Sequence, residues 1–263
     1  MNDQPTRILL TLDCGNIDVD ALRVLTLLSS SPGCEVTALY VEDVEVMNAA
    51  RLPGMSEVST SGTVSRLDPQ SVRTQLARQA DIARQEFESS ARRLELNYSF
   101  QLTQGSAMDS LIEAAAPADI VVVHRSLRAA GLRTRRGAQF QTLIETQPNL
   151  LFVNEPWASG QSVVALCEAP GDQSEQALAA ARRFARAEGL TLVIAVPPDV
   201  AATAESGPER RVMLRHWDED AIVDLCAAVD ARLLVVSRGK ELDWRELLAR
   251  LIDRVRCSLL RLE

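Results

Sequence analysis

The chain has 263 residues, a net charge of −8 and 46% hydrophobic residues, a composition typical of a soluble globular protein. Its length favours two domains of roughly 100–150 residues each. The negative charge argues against a general affinity for nucleic acid or for anionic membrane surfaces. The apolar runs are too short to cross a bilayer, so membrane insertion is not expected.

Cysteine and histidine usage gives no sign of a metal site. The five cysteines are widely spaced, without a CxxC or metal-ligand pattern, and their odd number favours reduced thiols in a cytoplasmic protein. The polar start MNDQPTRILLTLD is not that of a signal peptide. Only His124 and His216 could contribute imidazole ligands, so no metal is predicted. The motifs GxSxG, HExxH and GxxxxGK[ST] are absent, which argues against an enzyme.

Strands and helices are predicted to alternate along the first half. Residues 7–12 form an apolar strand, a helix follows, and residues 36–41 form a second strand. Residues 43–67 are rich in Gly, Ser, Thr and Pro and are predicted to be a mobile loop. Asp68 and Pro69 suit a helix cap and a first helical position, and they begin a long helix that ends near residue 94.

The rest of the first half completes a five-stranded unit. Further strands are predicted at 98–103, 120–123 and 150–153. Helices between them are marked by apolar residues at helical spacing, namely Met108, Leu111, Ile112 and Ala115 and then Phe140, Leu143 and Ile144. Short apolar strands separated by amphipathic helices indicate a doubly wound, Rossmann-like α/β domain with a parallel sheet.

The same order of elements begins again after a predicted linker at 154–160. The segments ADIVVVHR (118–125) and ARLLVVSR (231–238) fall at the same place in each half. We therefore predict two tandem copies of one five-stranded α/β unit, with domains at 1–156 and 157–263. Only about a dozen residues separate the second and third strands of the second copy, close to the minimum for a crossover. The second domain is therefore predicted to be trimmed of its long helix.

A tandem pair of such domains resembles the universal stress protein family. The features that carry the resemblance are the first strand ending in Asp13, the strand–loop–helix of 120–147, and the closing strand after Pro148. In nucleotide-binding members of that family, the fourth strand opens into a loop of the form G-x2-G-x9-G-[ST]. The resemblance implies that the loop amides wrap a triphosphate while the strand-end Asp holds the adenosine.

This chain keeps the spacing of that loop but loses most of its glycines. The loop reads His124-x2-Leu127-x9-Gly137-Ala138, so only the last glycine remains and the hydroxyl position is an alanine. The branched side chain of Leu127 would keep a phosphate away from the main chain. Asp13 is present at the matching strand end. ATP or AMP is therefore a disfavoured cofactor, and none is predicted.

Arginines in the same loop offer another way to hold an anion. Arg125 and Arg128 could bind phosphate through bidentate hydrogen bonds, or they could belong to a solvated loop that pairs with carboxylates. Asp13 could equally cap its own turn, and His124 could be an ordinary polar residue at a strand end. With Val41 at the end of the second strand, the candidate ligand-binding residues are Asp13, Val41, His124, Arg125, Leu127, Arg128, Gly137 and Ala138.

The second copy departs further from the pattern. Ser237 and Lys240 take the first two loop positions, the loop is shorter, and Arg245 falls where the last glycine would stand. Either Cys167 or Glu168 occupies the position of Asp13, depending on where the gap is placed. We expect this domain not to bind a ligand.

Together, these patterns predict a non-enzymatic stress-response or regulatory protein of universal stress type with an unknown protein partner. The alternative is a nucleotide or anion sensor that binds through Asp13, Gly137 and the arginine loop, and a weak nucleotide hydrolase is a third hypothesis. The two domains are expected to pair within the chain around 149–154 and 257–262, imitating the dimer of single-domain members. The chain could also form a homodimer.

Overall fold

A computed structural model of the chain describes residues 6–12, 22, 34–54, 56–58, 62, 64–66, 68–124, 136–154, 159–168, 172–198, 209–237 and 244–263. The helix predicted after the first strand lies outside this part, apart from Leu22, which is buried. Within the described residues, no helix combines the length and apolar character needed to cross a membrane.

The first half contains seven strands and four helices among its described residues. In chain order they are β1 (Thr6–Leu12), β2 (Cys34–Asp43), α1 (Val44–Ala50), β3 (Ser56–Val58), β4 (Val64–Arg66), α2 (Pro69–Arg93), β5 (Asn97–Gly105), α3 (Ala107–Ala115), β6 (Ile120–His124), α4 (Arg136–Thr146) and β7 (Leu150–Val153). The cap predicted at Asp68 is confirmed, because its carboxylate accepts the N–H groups of Gln70 and Ser71 at the start of α2.

The second half repeats this order with fewer elements in the described residues. They are β8 (Ser162–Leu166), α5 (Asp172–Glu188), β9 (Thr191–Val196), β10 (Glu209–Met213), α6 (Glu219–Ala228), β11 (Ala231–Ser237), α7 (Trp244–Arg254) and β12 (Ser258–Leu262). Most of the predicted strands and helices lie within a few residues of these bounds.

Ten strands form one sheet in the order β10-β9-β8-β11-β12-β7-β6-β1-β2-β5. Within each half all neighbouring strands are parallel, and each half follows the order third, second, first, fourth, fifth. The predicted pair of doubly wound five-stranded units is therefore confirmed. The closing strands β7 and β12 pair antiparallel, with Leu151 opposite Leu260. The pairing lies within the segments 149–154 and 257–262 that were predicted to be in contact, whereas its direction was not predicted.

The antiparallel pairing of β7 with β12 determines at which edge of the sheet each half has the carboxyl ends of its strands. Because the strands of one half run against those of the other, the carboxyl ends of the two strand sets lie at opposite edges of the common sheet. In open α/β sheets, ligands bind outside the carboxyl ends of the strands. The two halves therefore present their candidate sites at opposite edges.

Side chains on either side of the junction fasten the two halves together. The buried Asn154 donates its backbone N–H to Ser258 Oγ (3.0 Å) and its side-chain amide to the carbonyl of Cys257 (2.7 Å). At the other end of the pair, the N–H of Glu263 donates to Asn149 Oδ1 (3.0 Å). Asn154 was predicted to begin a linker, but it belongs to the junction because its polar groups are satisfied there.

The core consists of two apolar layers, one on each face of the sheet. Buried residues of α2 and α5 pack on one face, and those of α3, α4, α6 and α7 pack on the other. Each layer contains residues from both halves, including the junction strands. The hydrophobic core is thus continuous across the junction.

The prediction of a loop over residues 43–67 was wrong for much of that segment. It contains α1, which packs against α2, and an antiparallel hairpin of β3 and β4. Val58 and Val64 face each other in that hairpin and are largely exposed. Pro53 and Gly54 lie in the turn that separates these elements. Because the composition was averaged over the whole segment, its turn residues indicated a loop, and the short helix and strands between the turns were not predicted.

In the trimmed second half, β10 is the outer edge strand of the sheet. An ion pair with α5 holds this strand in place. No helix corresponding to α2 stands among the described residues between β9 and β10. Arg182 of α5 donates from Nε and Nη2 to the two carboxylate oxygens of Glu209, both at 2.8 Å. These hydrogen bonds lower the pKa of Glu209; partial burial opposes them, and the nearby arginine charges add to the lowering.

The lowered pKa of Glu209 predicts an acid-dependent loss of stability. The ionised form is favoured in the folded state, so its contribution is complete above the ordinary glutamate pKa and is lost as the pH falls through the lowered value. Glu209→Gln should cost about 1 kcal/mol of unfolding free energy at neutral pH, and the difference from wild type should shrink toward about pH 3. Urea unfolding at both pH values measures this.

The matched control is Glu88→Gln, which removes an exposed i,i+4 pair with Arg92. It should cost about 0.5 kcal/mol or less. Equal stabilities of Glu209→Gln and wild type at neutral pH would contradict the assigned role of the Arg182 pair.

Candidate functional site

The order of strands defines one switch point in each half. A ligand crevice forms where neighbouring strands lead to connections on opposite faces of the sheet. Here that position lies between β1 and β6 in the first half and between β8 and β11 in the second. The candidate sites are the carboxyl ends of these strand pairs.

The buried Thr11 of β1 forms hydrogen bonds to β6 across the switch point of the first half. Strands β1 and β6 pair as far as Leu10 and Val122. Beyond that pair, the hydroxyl of Thr11 donates to the carbonyl of Val122 (3.0 Å) and accepts the backbone N–H of His124 (3.4 Å). The main-chain N–H at the start of the predicted loop is therefore directed toward a side chain of the fold.

Thr11 was not among the residues selected from the sequence. Its signal is a single hydroxyl within the apolar strand RILLTL. A threonine is common in strands, so the residue alone does not indicate a bridge. The role depends on where β6 lies beside β1.

The predicted loop residues lie on both sides of an undescribed segment. His124 is half-buried at the end of β6 and pairs with Val153. Gly137 and Ala138 lie in the first turn of α4, where backbone N–H groups have no partner within the helix. Arg125, Leu127 and Arg128, together with Asp13, lie outside the described residues.

The remaining candidate of the first half is Val41, near the end of β2. It is half-buried, pairs with Thr103 of β5 and packs against the apolar layer that contains α3 and α4.

The side-chain amide of Gln139 donates to the carboxylate of Asp109. This contact ties the beginnings of α3 and α4 together at the carboxyl edge, beside the switch point.

The strand registers decide which residue of the second half corresponds to Asp13. Ile8 pairs with Ile120 in the first half, and Val163 pairs with Leu233 in the second. Ile120 and Leu233 hold the same place in the repeated segments ADIVVVHR and ARLLVVSR. Counting five residues onward from Ile8 and Val163 places Glu168, and not Cys167, at the position of Asp13.

In the second half, the indole of Trp217 forms a hydrogen bond with the carboxylate of Glu168. Trp217 donates its Nε1–H to Glu168 Oε1 at 3.0 Å, and its half-buried ring packs against the apolar layer of that face. Ser237, the counterpart of His124, is buried at the end of β11. The indole of Trp217 and the carboxylate of Glu168 thus join the carboxyl ends of β10 and β8.

Other cavities lie away from the switch points. A groove of about 450 Å³ lies beside α3 on one face of the sheet, lined by Arg7, Glu35, Thr37 and Gln101 among others. A second cavity of about 390 Å³ lies between α1 and α2 next to Glu42. In the part of the chain that the structure describes, no three His, Cys, Asp or Glu side chains are grouped as metal ligands would be.

Comparisons with known proteins match the chain to solved structures. No protein-family model and no curated protein sequence matches it. A universal stress protein from Archaeoglobus fulgidus superposes with a TM-score of 0.59 over 98% of this chain and 96% of its own, at 9% identity. A putative universal stress protein from Pseudomonas aeruginosa gives a TM-score of 0.55 over 99% and 94%, at 13% identity.

A third match is the cytoplasmic domain of a prokaryotic cation chloride cotransporter. Its TM-score is 0.50 over 98% of this chain and 95% of that domain, at 11% identity. At such identities the likeness establishes the fold. The chain therefore has the tandem fold of universal stress proteins over nearly its whole length, and the resemblance predicted from the sequence is confirmed at the level of the fold.

The two hydrogen bonds of the Thr11 hydroxyl, to the carbonyl of Val122 and from the N–H of His124, form the Thr11 bridge. They predict a loss of stability when this hydroxyl is removed. Thr11→Val keeps the side-chain shape but leaves the N–H of His124 and the carbonyl of Val122 without this partner. We expect a loss of about 1–3 kcal/mol in unfolding free energy, measured by urea denaturation.

The matched control is Thr37→Val, which removes the Thr37–Ser99 hydroxyl contact (2.9 Å) from a more accessible part of β2. It should change stability by about 0.5 kcal/mol or less. If both variants had the same stability, the Thr11 bridge would not be the contact that holds the switch point.

Proposed function

We propose that the chain is a non-enzymatic regulatory protein of the universal stress type, which acts through binding and does not hold ATP as the nucleotide-binding members of that family do. The observation that carries the proposal is the Thr11 bridge. The N–H of His124 is directed to the hydroxyl of Thr11, and a phosphate would need that N–H at the start of the loop. An anion would have to compete with a contact inside the fold.

The residues around the loop support the same proposal. Glycines let a main chain approach a phosphate closely, and the family's first two loop glycines are His124 and Leu127 in this chain. His124 is half-buried at the end of β6, so its imidazole adds bulk at the first contact. Ala138, in the first turn of α4, has no hydroxyl to offer.

The fold also occurs as one domain of a larger protein, since one structure that matches this chain is the cytoplasmic domain of a prokaryotic cation chloride cotransporter. The described cysteines of the present chain are free thiols, which supports the proposed cytoplasmic location. We propose a protein partner and no resident cofactor.

The alternative function is a nucleotide or anion sensor in the first half. The observation that favours it is the start of α4, whose first turn contains Gly137 and offers backbone N–H groups at the carboxyl edge. In this alternative, Asp13 and the loop arginines would complete the site. Direct titration separates the two functions.

Isothermal titration of the wild-type protein with ATP, AMP and cyclic AMP in the presence of Mg²⁺ should show no binding tighter than a Kd of about 1 mM. The triple variant His124→Gly, Leu127→Gly, Ala138→Ser restores the glycines and the hydroxyl. It should bind ATP at least about tenfold tighter, since main-chain N–H groups could then reach the phosphates.

The matched control places glycines at Ser237 and Lys240, the corresponding positions of the second half. It should gain nothing, because the loop after β11 is shorter and Arg245 falls where the last glycine would stand. Micromolar ATP binding by the wild type that is lost in Asp13→Ala would replace the proposed function with the sensor. Phosphate release with Mg²⁺ or Mn²⁺ would instead establish a hydrolase.

A further inference from the structure

The two outer strands of the ten-stranded sheet differ in charge. Among the described residues, the sheet ends in β10 on one side and in β5 on the other. The strand β10 has the sequence ERRVM, in which three of five residues are charged. The strand β5 has nine residues, NYSFQLTQG, and none of them is charged or a proline. Long edge strands without charges or proline pair readily with another strand, so β5 is the edge that suits such pairing.

The two faces of β5 carry no charge that would repel an identical strand. Tyr98 and Phe100 point toward α2, where their rings contact that of Phe87. Since side chains alternate along a strand, Leu102 follows on the same face, and 44% of it is exposed. The opposite face presents uncharged polar groups, such as the exposed hydroxyl of Ser99. An antiparallel copy of β5 thus meets apolar groups on one face and neutral polar groups on the other.

A row of charged residues on α2 lies above this edge. The residues of this charged row are three or four positions apart, so that they share one side of the helix, and they are Asp81, Arg84, Glu88 and Arg92. Two contacts place the row over β5. The guanidinium of Arg84 lies 4.8 Å from the ring centre of Phe100, and Arg92 donates from Nε to the hydroxyl of Tyr98 (2.9 Å).

The charged row is complementary to itself when two copies of α2 run antiparallel. A two-fold axis between Arg84 and Glu88 places Arg84 of each copy beside Glu88 of the other. The same axis places Asp81 of each copy beside Arg92 of the other, so that every pair joins opposite charges. In a parallel arrangement each charge would instead lie beside its own copy. The sequence of charges therefore selects the antiparallel pair that a two-fold dimer requires.

The strand edge and the charged row have the same centre. Because Arg84 lies over Phe100, an axis beside Arg84 passes close to Phe100. Antiparallel pairing centred on Phe100 brings Leu102 of one copy opposite Tyr98 of the other. The helix α2 packs on both β2 and β5, so its axis lies between these strands. With strands about 4.8 Å apart, the two α2 helices then lie roughly 10 Å apart, which is a normal spacing for packed helices.

We propose that β5 is a dimerisation edge, at which two copies of this chain pair their β5 strands antiparallel about a two-fold axis near Phe100 and pack their α2 helices side by side. The contact continues the sheet of one copy into that of the other. It is separate from the pairing of β7 with β12, which joins the two halves of one chain. The inference does not rest on the proposed function, which concerns the switch point of the first half.

Sedimentation equilibrium of the full-length protein measures the pairing. We expect the wild type to form a reversible dimer with a Kd below about 100 μM. Leu102→Lys should weaken the dimer at least about tenfold, because a lysine on an edge strand opposes pairing. The matched control is Met213→Lys, at the equivalent register of β10 and 50% exposed. It should leave the dimer unchanged.

A charge exchange tests the charged row. Arg84→Glu and Glu88→Arg each bring like charges together across the axis, so each variant alone should dimerise at least about tenfold more weakly than the wild type. When the two variants are mixed in equal amounts, a heterodimer about as tight as the wild-type dimer should form. In that pair, each contact between positions 84 and 88 joins opposite charges again. Pairing through any other surface would not show this recovery.

Three outcomes would overturn the proposal. They are a wild type that stays monomeric at about 100 μM, equal weakening by Leu102→Lys and Met213→Lys, and a mixture of the two charge variants that does not recover the dimer. If Leu102→Lys does not fold, as judged by circular dichroism, the charge exchange decides. Its substitutions lie on the accessible side of α2, with Arg84 exposed and Glu88 half-buried.

Discussion

The antiparallel pairing of β7 with β12 is the contact on which the rest of the structure depends. It places Leu151 opposite Leu260 and joins two parallel five-stranded sheets into one ten-stranded sheet. Each half would otherwise expose an apolar edge strand, which invites pairing with other chains. Asn154 adds to the junction by donating to the carbonyl of Cys257 and to the hydroxyl of Ser258 at the start of β12. Since the apolar layers on both faces also run across the junction, the two halves share one core.

The same pairing separates the two candidate sites and lets them differ. Their switch points lie at opposite edges of the sheet, so a change at one edge need not disturb the other. In the first half a hydroxyl bridges the strand ends, through Thr11 and the N–H of His124. In the second half the indole of Trp217 donates to Glu168 and joins the ends of β10 and β8. The two halves therefore carry different side-chain contacts at the carboxyl ends of their strands.

The sequence predicts the sheet well because strand and helix periodicities are local, as the match of Leu150–Val153 to its predicted bounds illustrates. It predicts the sites less well because their contacts are not local. Nothing near Trp217 in the chain indicates a bond to Glu168, which is 49 positions away. Asn154 begins a segment whose composition predicts a linker. It is nevertheless buried, because β12 lies beside it. The elements within 43–67 were missed because turn residues dominate the composition of that segment.

Native-state hydrogen exchange of the amides in β7 and β12 tests most directly whether the two halves form a single unit. If the junction unites them, the slowest amides of both strands exchange through global unfolding and report one common free energy, equal to that from urea denaturation. The core strands β1 and β8 should then give the same value. If the amides of β8 and β12 exchanged at a clearly lower free energy than those of β1 and β7, the halves would unfold separately, and the junction would not be the contact that holds the structure together.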